Sequence, residues 1–155
     1  MTGMYNSLMN KTGGDAAAAV ASQGASIWAV LHAAHTLEDR VEEALGRAGL
    51  STPKYSVLNA LVETGEALSL SELATRLSCV RSNMTQLVDR LEADGLVKRV
   101  SDPHDRRAVK AAITEEGTAR CAGGAAELEK VHAAFSANVS ESDREALVRL
   151  LSAVK

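Results

Sequence analysis

Between Arg81 and Leu91 the chain carries two kinds of side chain at helical spacing. Met84, Leu87, Val88 and Leu91 recur at i, i+3, i+4 and i+7, the face of a helix turned to a core. The opposite face holds Arg81, Ser82, Asn83, Gln86, Asp89 and Arg90. Amides and hydroxyls pair with the donors and acceptors of base edges, and guanidinium groups with guanine or phosphate, so this face suits reading DNA. Further on, Asp105, Arg106 and Arg107 stand in the turn Ser101-Asp102-Pro103-His104-Asp105-Arg106-Arg107. Arginines at the tip of a narrow ribbon fit a minor groove, where negative potential is concentrated. Taken singly, the first group is also an ordinary solvated helix face and the second a generic charged turn.

The elements that must position these groups can be read around them. Ser69 and Glu72 fit a capping box ahead of a short helix, about Leu70 to Leu77, whose Leu70, Leu73, Ala74 and Leu77 face inward. Ser78, Cys79 and Val80 then form a turn of the length that crosses two helices steeply. Val80 is a poor cap for the helix that follows, where Ser or Asp is preferred. Gly95 ends that second helix as a C′ residue. Residues 96–100 and 108–113 read as two strands joined by the basic turn. Two helices, a turn and a basic hairpin are the order of a winged helix-turn-helix, and the three elements together favour DNA contact over either bland reading. Lys98, Arg99 and Lys110 are candidate phosphate contacts or simply solvated cations.

Outside this stretch, a long helix is predicted over about Ala16 to Arg47, with an apolar stripe of Ile27, Val30, Leu31, Ala34, Leu37, Val41 and Leu45. Ser51-Thr52-Pro53 opens another, with Tyr55, Leu58, Leu61 and Val62 inward. Thr114 caps a helix to about Asn138, and Ser140 with Asp143 opens a last one striped by Ala146, Leu147, Leu150, Leu151 and Val154. The fold class expected is mainly α: a winged helix-turn-helix lobe over 51–114, and terminal helices over 16–50 and 115–155. Residues 1–15 read as a disordered tail. The terminal helices are amphipathic without a partner in the lobe, and pairing across a two-fold axis would bury them in a homodimer. Such a dimer sets two recognition helices one DNA turn apart, roughly 34 Å, to read a pseudo-palindrome.

Composition narrows the alternatives. A chain of 155 residues fits one domain, and at 3% aromatic it gives little support to base-stacking RNA modules. The net charge is −3, with 17 Lys and Arg against 20 Asp and Glu, yet residues 69–114 hold eight basic against six acidic side chains. The positive charge is gathered in the DNA lobe. Cys79 and Cys121 are too few and too scattered for a disulfide framework, which fits a reduced cytoplasm. Neither a spanning apolar run nor a signal-peptide core is visible, so no membrane association is expected. There is no Gly-rich phosphate loop, nucleophile motif or metal-ligand cluster, so neither an enzyme nor a cofactor is expected. A metal reading of His32 and His35 needs a third ligand such as His132, and nothing in the sequence brings that residue near.

The segments LSELATRL, SNMTQLVDRLEADGLVKRVSDPHDRRAV and ITEEG resemble the MarR (multiple-antibiotic-resistance regulator) family. The motif-bearing part is roughly a third of the chain. The resemblance implies an all-helical dimer with two winged lobes and ligand-modulated transcriptional control, here a repressor. Carried over by position, it implies that Ser82, Asn83 and Gln86 read the major groove. It also implies that Asp105 orients an arginine and that Arg107 enters the minor groove, with Arg106 sharing that role. His104 stands where the family commonly has arginine, which points to a weaker or pH-sensitive wing tip. In the family, small effectors bind between the dimerisation helices and the DNA lobe. Trp28, His32, His35 and Asp39 line a second face of the first long helix, and with Tyr55 they are candidates for such a pocket, its ligand small and aromatic or phenolic. Packing, with the histidines satisfied at its edge, is the plainer reading of the same residues. The family's peroxide sensors use a cysteine in the N-terminal helix, and this chain has none before Cys79. The rival function is a winged-helix protein-protein module without an operator.

Overall fold

The computed structural model describes the backbone of residues 15–101 and 109–153, and the side chains of 27–101 and 109–153. The tail expected before residue 15, and Val154 of the last apolar stripe, lie outside the described residues. Among those described the elements run α1 (Asp15–Arg47), α2 (Thr52–Thr64), β1 (Leu68–Ser69), α3 (Leu70–Arg76), α4 (Arg81–Ala93), β2 (Val97–Ser101), β3 (Val109–Ile113), α5 (Glu115–Asn138) and α6 (Glu141–Ser152). The chain divides into two compact units between Asp39 and Arg40, so α1 contributes to both.

The second unit holds the core. Leu45 and Leu50 join Val57, Leu58 and Leu61 of α2, Leu73 of α3, and Met84, Val88 and Leu91 of α4. Ala60, Leu68, Ala74, Leu96, Val97, Ala111 and Cys121 belong to it as well. The α4 face predicted from its spacing is the buried one, with Leu87 half-buried at its rim. In α2 the inward face is rotated from the predicted one. Val57 and Ala60 are buried beside Leu58 and Leu61, while Val62 is 44% exposed. Spacing by six and seven residues drifts off a helical face when the i+3 and i+4 positions are not weighed with it.

The sheet has three strands in the order β1-β3-β2, all antiparallel. The sequence predicts only a two-stranded hairpin, and β1 is the addition. Leu68 pairs with Ala111 and Ser69 with Lys110, which makes β3 the central strand. Two residues are too few to show a period-2 pattern, and these two run directly into the α3 cap.

The helix ends follow local chemistry. Ser69 accepts from the amide of Glu72 at 3.2 Å, and Glu72 accepts from the amide of Ser69 at 2.7 Å, a complete capping box. Thr114 accepts from the amide of Gly117 at 3.0 Å and Ser140 from that of Asp143 at 3.2 Å. Ser51 makes no side-chain cap to α2. Its place is taken by Glu42 of α1, whose carboxylate accepts from the amide and hydroxyl of Thr52 at 2.9 and 2.6 Å. These bonds hold the Glu42 carboxyl below the usual glutamate range, the hydroxyl contributing most.

Candidate nucleic-acid interface

α4 is fixed from behind and left open in front. Its back packs through Met84, Val88 and Leu91 into the core, with α3 crossing it. The turn between the two helices contains Ser78 at φ +49°, a left-handed conformation that a non-glycine residue adopts only under local constraint. As the sequence suggested, Val80 supplies no side-chain cap. The Val80 carbonyl takes the amides of Asn83 and Met84 at 3.1 and 3.2 Å, which leaves those of Arg81 and Ser82 for an outside acceptor such as phosphate.

The front face carries Arg81, Ser82, Asn83, Gln86 and Arg90, all exposed. Thr85, beside them, spends its hydroxyl on the carbonyl of Arg81 at 3.1 Å. The charged groups that flank this face are paired. Asp94, at the C-terminal end of α4, takes the ammonium of Lys54 from α2 at 2.5 Å. Asp89 accepts from the Arg99 guanidinium at 2.5 Å, and Glu92 accepts from the same group. Glu92 also accepts the backbone amide of Arg99 at 3.0 Å. The front of α4 thus holds polar groups directed outward, while the acidic groups of its second half are consumed in holding neighbouring elements.

Arg99, on sequence a candidate phosphate contact or a solvated cation, is ion-paired within the lobe. It is 31% exposed and gripped by two carboxylates, which raise its pKa above the usual guanidinium value, Asp89 most of all. The signal available in the sequence is the i, i+3 spacing of Asp89 and Glu92, but only the turn through Gly95, which folds β2 back against α4, brings Arg99 to them. Lys98 is exposed.

The wing strands are in register from Val97–Ile113 to Ser101–Val109. Asp102, His104, Asp105, Arg106 and Arg107 lie outside the described residues. Thr114 joins the hairpin's exit to the exit of α4: its hydroxyl donates to the carbonyl of Gly95 at 2.8 Å.

Of the pocket candidates, Trp28 is 64% exposed and His32 and His35 are also exposed, in the first unit. His35 stands 3.7 Å from Asp39, one turn on. Tyr55 belongs to the second unit. It is half-buried against α5 at Gly124, where an added Cβ would meet its ring at 2.9 Å, and burial pushes its phenol pKa up. Burial likewise raises the Cys121 thiol, which keeps it protonated and inert. Among the described residues no three His, Cys, Asp or Glu side chains are grouped to hold a metal, and no helix is long and apolar enough to cross a membrane.

Comparison with known proteins places this geometry among regulators. A MarR-family model matches residues 48–108, which include α2, β1, α3, α4 and β2. The HTH-type transcriptional regulator PrsX of Escherichia coli is 39% identical over 82 residues, covering 52% of this chain and 49% of that protein. The chain spans about half the length of the curated relatives it matches. Among solved structures, a MarR-family transcriptional regulator from Rhodococcus sp. RHA1 is 26% identical with a TM-score of 0.71, covering 85% of this chain and 93% of that one. CouR from Rhodococcus jostii RHA1, bound to p-coumaroyl-CoA, is 28% identical with a TM-score of 0.69, covering 81% and 87%. The relatives are transcription regulators and not enzymes.

Proposed function

We propose that this chain is a MarR-family regulator, matched to that family through its winged-helix lobe, and that it binds DNA sequence-specifically as a homodimer. One observation carries the reading. Arg81, Ser82, Asn83, Gln86 and Arg90 share an exposed face, and among the described residues none of them has a side-chain hydrogen-bond or ion-pair partner. A row of unspent donors and acceptors on a rigidly backed helix is what base edges and phosphates require. In this reading α4 enters the major groove, and Arg106 and Arg107, the latter oriented by Asp105, enter the adjacent minor groove.

The division of labour follows. Residues 51–114 form the DNA-binding lobe, and 16–50 with 115–155 supply the dimerisation helices. In support, among the described residues Ile27, Val30 and Leu31 on α1, and Leu147, Val148, Leu150 and Leu151 on α6, are all exposed. The role is a cytoplasmic repressor released by a small aromatic or phenolic ligand. That class is supported by CouR's p-coumaroyl-CoA, with Trp28, His32 and His35 of the first unit as candidate contacts. Release works by population shift: the ligand prefers the dimer geometry whose recognition helices are wrongly spaced, and weakens binding by that difference in affinity and no more.

The test is a gel-shift titration on DNA from upstream of the protein's own gene, followed by selection from random duplexes. One dimer per site, surviving random competitor, is the expected result. Binding no tighter than to random DNA after selection would overturn the reading and leave a winged-helix scaffold that engages protein instead.

A further inference from the structure

We propose that Arg99 is a positioning residue for DNA recognition: through Asp89 and Glu92 it locks the wing to the recognition helix, and it does not itself touch phosphate. The proposal rests on the DNA-binding reading above and adds how the lobe's two contact elements are held in one geometry.

The covalent link between α4 and β2 is only Asp94-Gly95-Leu96, so the angle between helix and hairpin must be set by side chains. Apolar packing of Leu91, Leu96 and Val97 is one contribution, but hydrophobic contact has no direction. The Arg99 cluster supplies direction. Glu92 takes the Arg99 amide with one oxygen and its guanidinium with the other, and Asp89, one turn earlier, takes a second guanidinium nitrogen. The three bonds span two successive turns of α4, and the planar guanidinium cannot satisfy both carboxylates if the hairpin rotates. Asp89 adjoins Arg90 and lies three residues from Gln86, so the lock grips the helix next to its reading face.

Charge decides against a phosphate role for Arg99. One cation held by two carboxylates leaves a local excess of negative charge, which repels phosphate rather than binding it. Two carboxylates on a DNA-facing lobe are a liability for affinity, and their presence is accounted for by the geometry they impose. A lobe whose helix and wing sit in two grooves at once gains from that rigidity, because the second contact is then made without a further ordering cost.

Glu92→Gln separates the possibilities by the sign of its effect. Removing an acidic charge from the lobe should tighten binding to every DNA if electrostatics alone matter. As a lock component, its loss should weaken binding to the duplex selected with wild-type protein on the order of tenfold, and leave random-duplex affinity unchanged or stronger. The salt dependence should stay at the wild-type slope. Arg99→Lys keeps the charge but loses the fork, so it should lose selected-site affinity too, whereas a phosphate contact would tolerate it. Asp89→Asn repeats the Glu92 test should that variant fold poorly, with circular dichroism confirming the folded fraction. The proposal is overturned if Glu92→Gln and Asp89→Asn bind the selected duplex as tightly as wild type, or if selected and random affinities fall together. A wild-type protein with no selected-site preference would instead remove the DNA-binding reading itself, a failure visible before any variant is made.

Discussion

Gln86 and Arg107 represent two physically different demands on one binding lobe. Gln86 is exposed at the centre of the α4 front, and in the proposed reading its amide exchanges two hydrogen bonds with a base edge. Gln86→Ala should therefore narrow the gap between the best site and single-base variants of it, by about 1–3 kcal/mol at one position, while the salt slope stays put. Uniform weakening on all duplexes, read by competition anisotropy, would remove Gln86 from base reading. Arg107, in the proposed reading, contributes charge in a groove of high negative potential. Arg107→Ala should cost about 1–3 kcal/mol on any duplex and make the salt dependence shallower by roughly one counterion. Unchanged affinity would end the wing assignment. Lys110, unlike Lys98, already has an intramolecular interaction, so its variants carry a mixed signature and are poor tests.

At the scale of elements, the start of α5 is the most exacting fit in the lobe. The Thr114 amide donates to the Leu96 carbonyl at 3.1 Å, and its hydroxyl ties to Gly95 and Gly117. That draws Gly117 so close to the Leu96 carbonyl oxygen that an added Cβ would overlap it and would meet Ile113 at 2.9 Å. Backbone cannot swing aside as a side chain can, so Gly117→Ala should destabilise by about 1–3 kcal/mol or more despite alanine's better helix propensity. Urea unfolding should show a lower midpoint at unchanged slope, and an unchanged or raised midpoint would sink the argument. These cases also mark what is readable without coordinates. The Ser69–Glu72 box, the Thr114 and Ser140 caps and the buried face of α4 are set within a few residues of chain, and spacing exposes them. The β1 strand and the closeness of Gly117 to Leu96 depend on where a distant segment returns, and the Asp89–Arg99 pair on the angle of the turn through Gly95, and no local pattern encodes either. The reading face of α4 is legible because it is the complement of a buried face. The lock that holds it is not, since Arg99 looks from sequence like any basic strand residue.

For the whole molecule, pH and self-association test the reading on different axes. Glu42 is held below the usual glutamate range by Thr52, Glu72 by the amide and hydroxyl of Ser69, and Glu127 by Lys130 and Arg47. A carboxyl lowered on folding stabilises the native state above its unfolded value, about 4.3, and that contribution is lost as pH falls toward the lowered value. Urea midpoints should therefore drop as pH falls below about 4.5, and Glu42→Gln should flatten part of that drop; an unaltered pH profile would mean that its cap on α2 is not felt globally. Self-association bears directly on function. Leu147, Leu150 and Leu151 remain 39%, 64% and 42% exposed on α6, an apolar face that water does not favour. Covering each leucine stabilises by up to about 1.5–3 kcal/mol, and a two-fold axis doubles the set. Leu151→Glu would force a carboxylate into that interface at a cost of several kcal/mol, without touching the buried core of the DNA lobe. For the proposed dimer, sedimentation should find wild type at twice the mass of the 16.3 kDa chain and Leu151→Glu as the monomer, with α-helical content retained. Operator affinity should fall by about two orders of magnitude or more, because each half-site is then bound alone, while the contact made by one lobe persists. A Leu151→Glu protein that stays dimeric would move the interface away from α6. One that is monomeric yet binds the operator undiminished would detach recognition from dimerisation altogether.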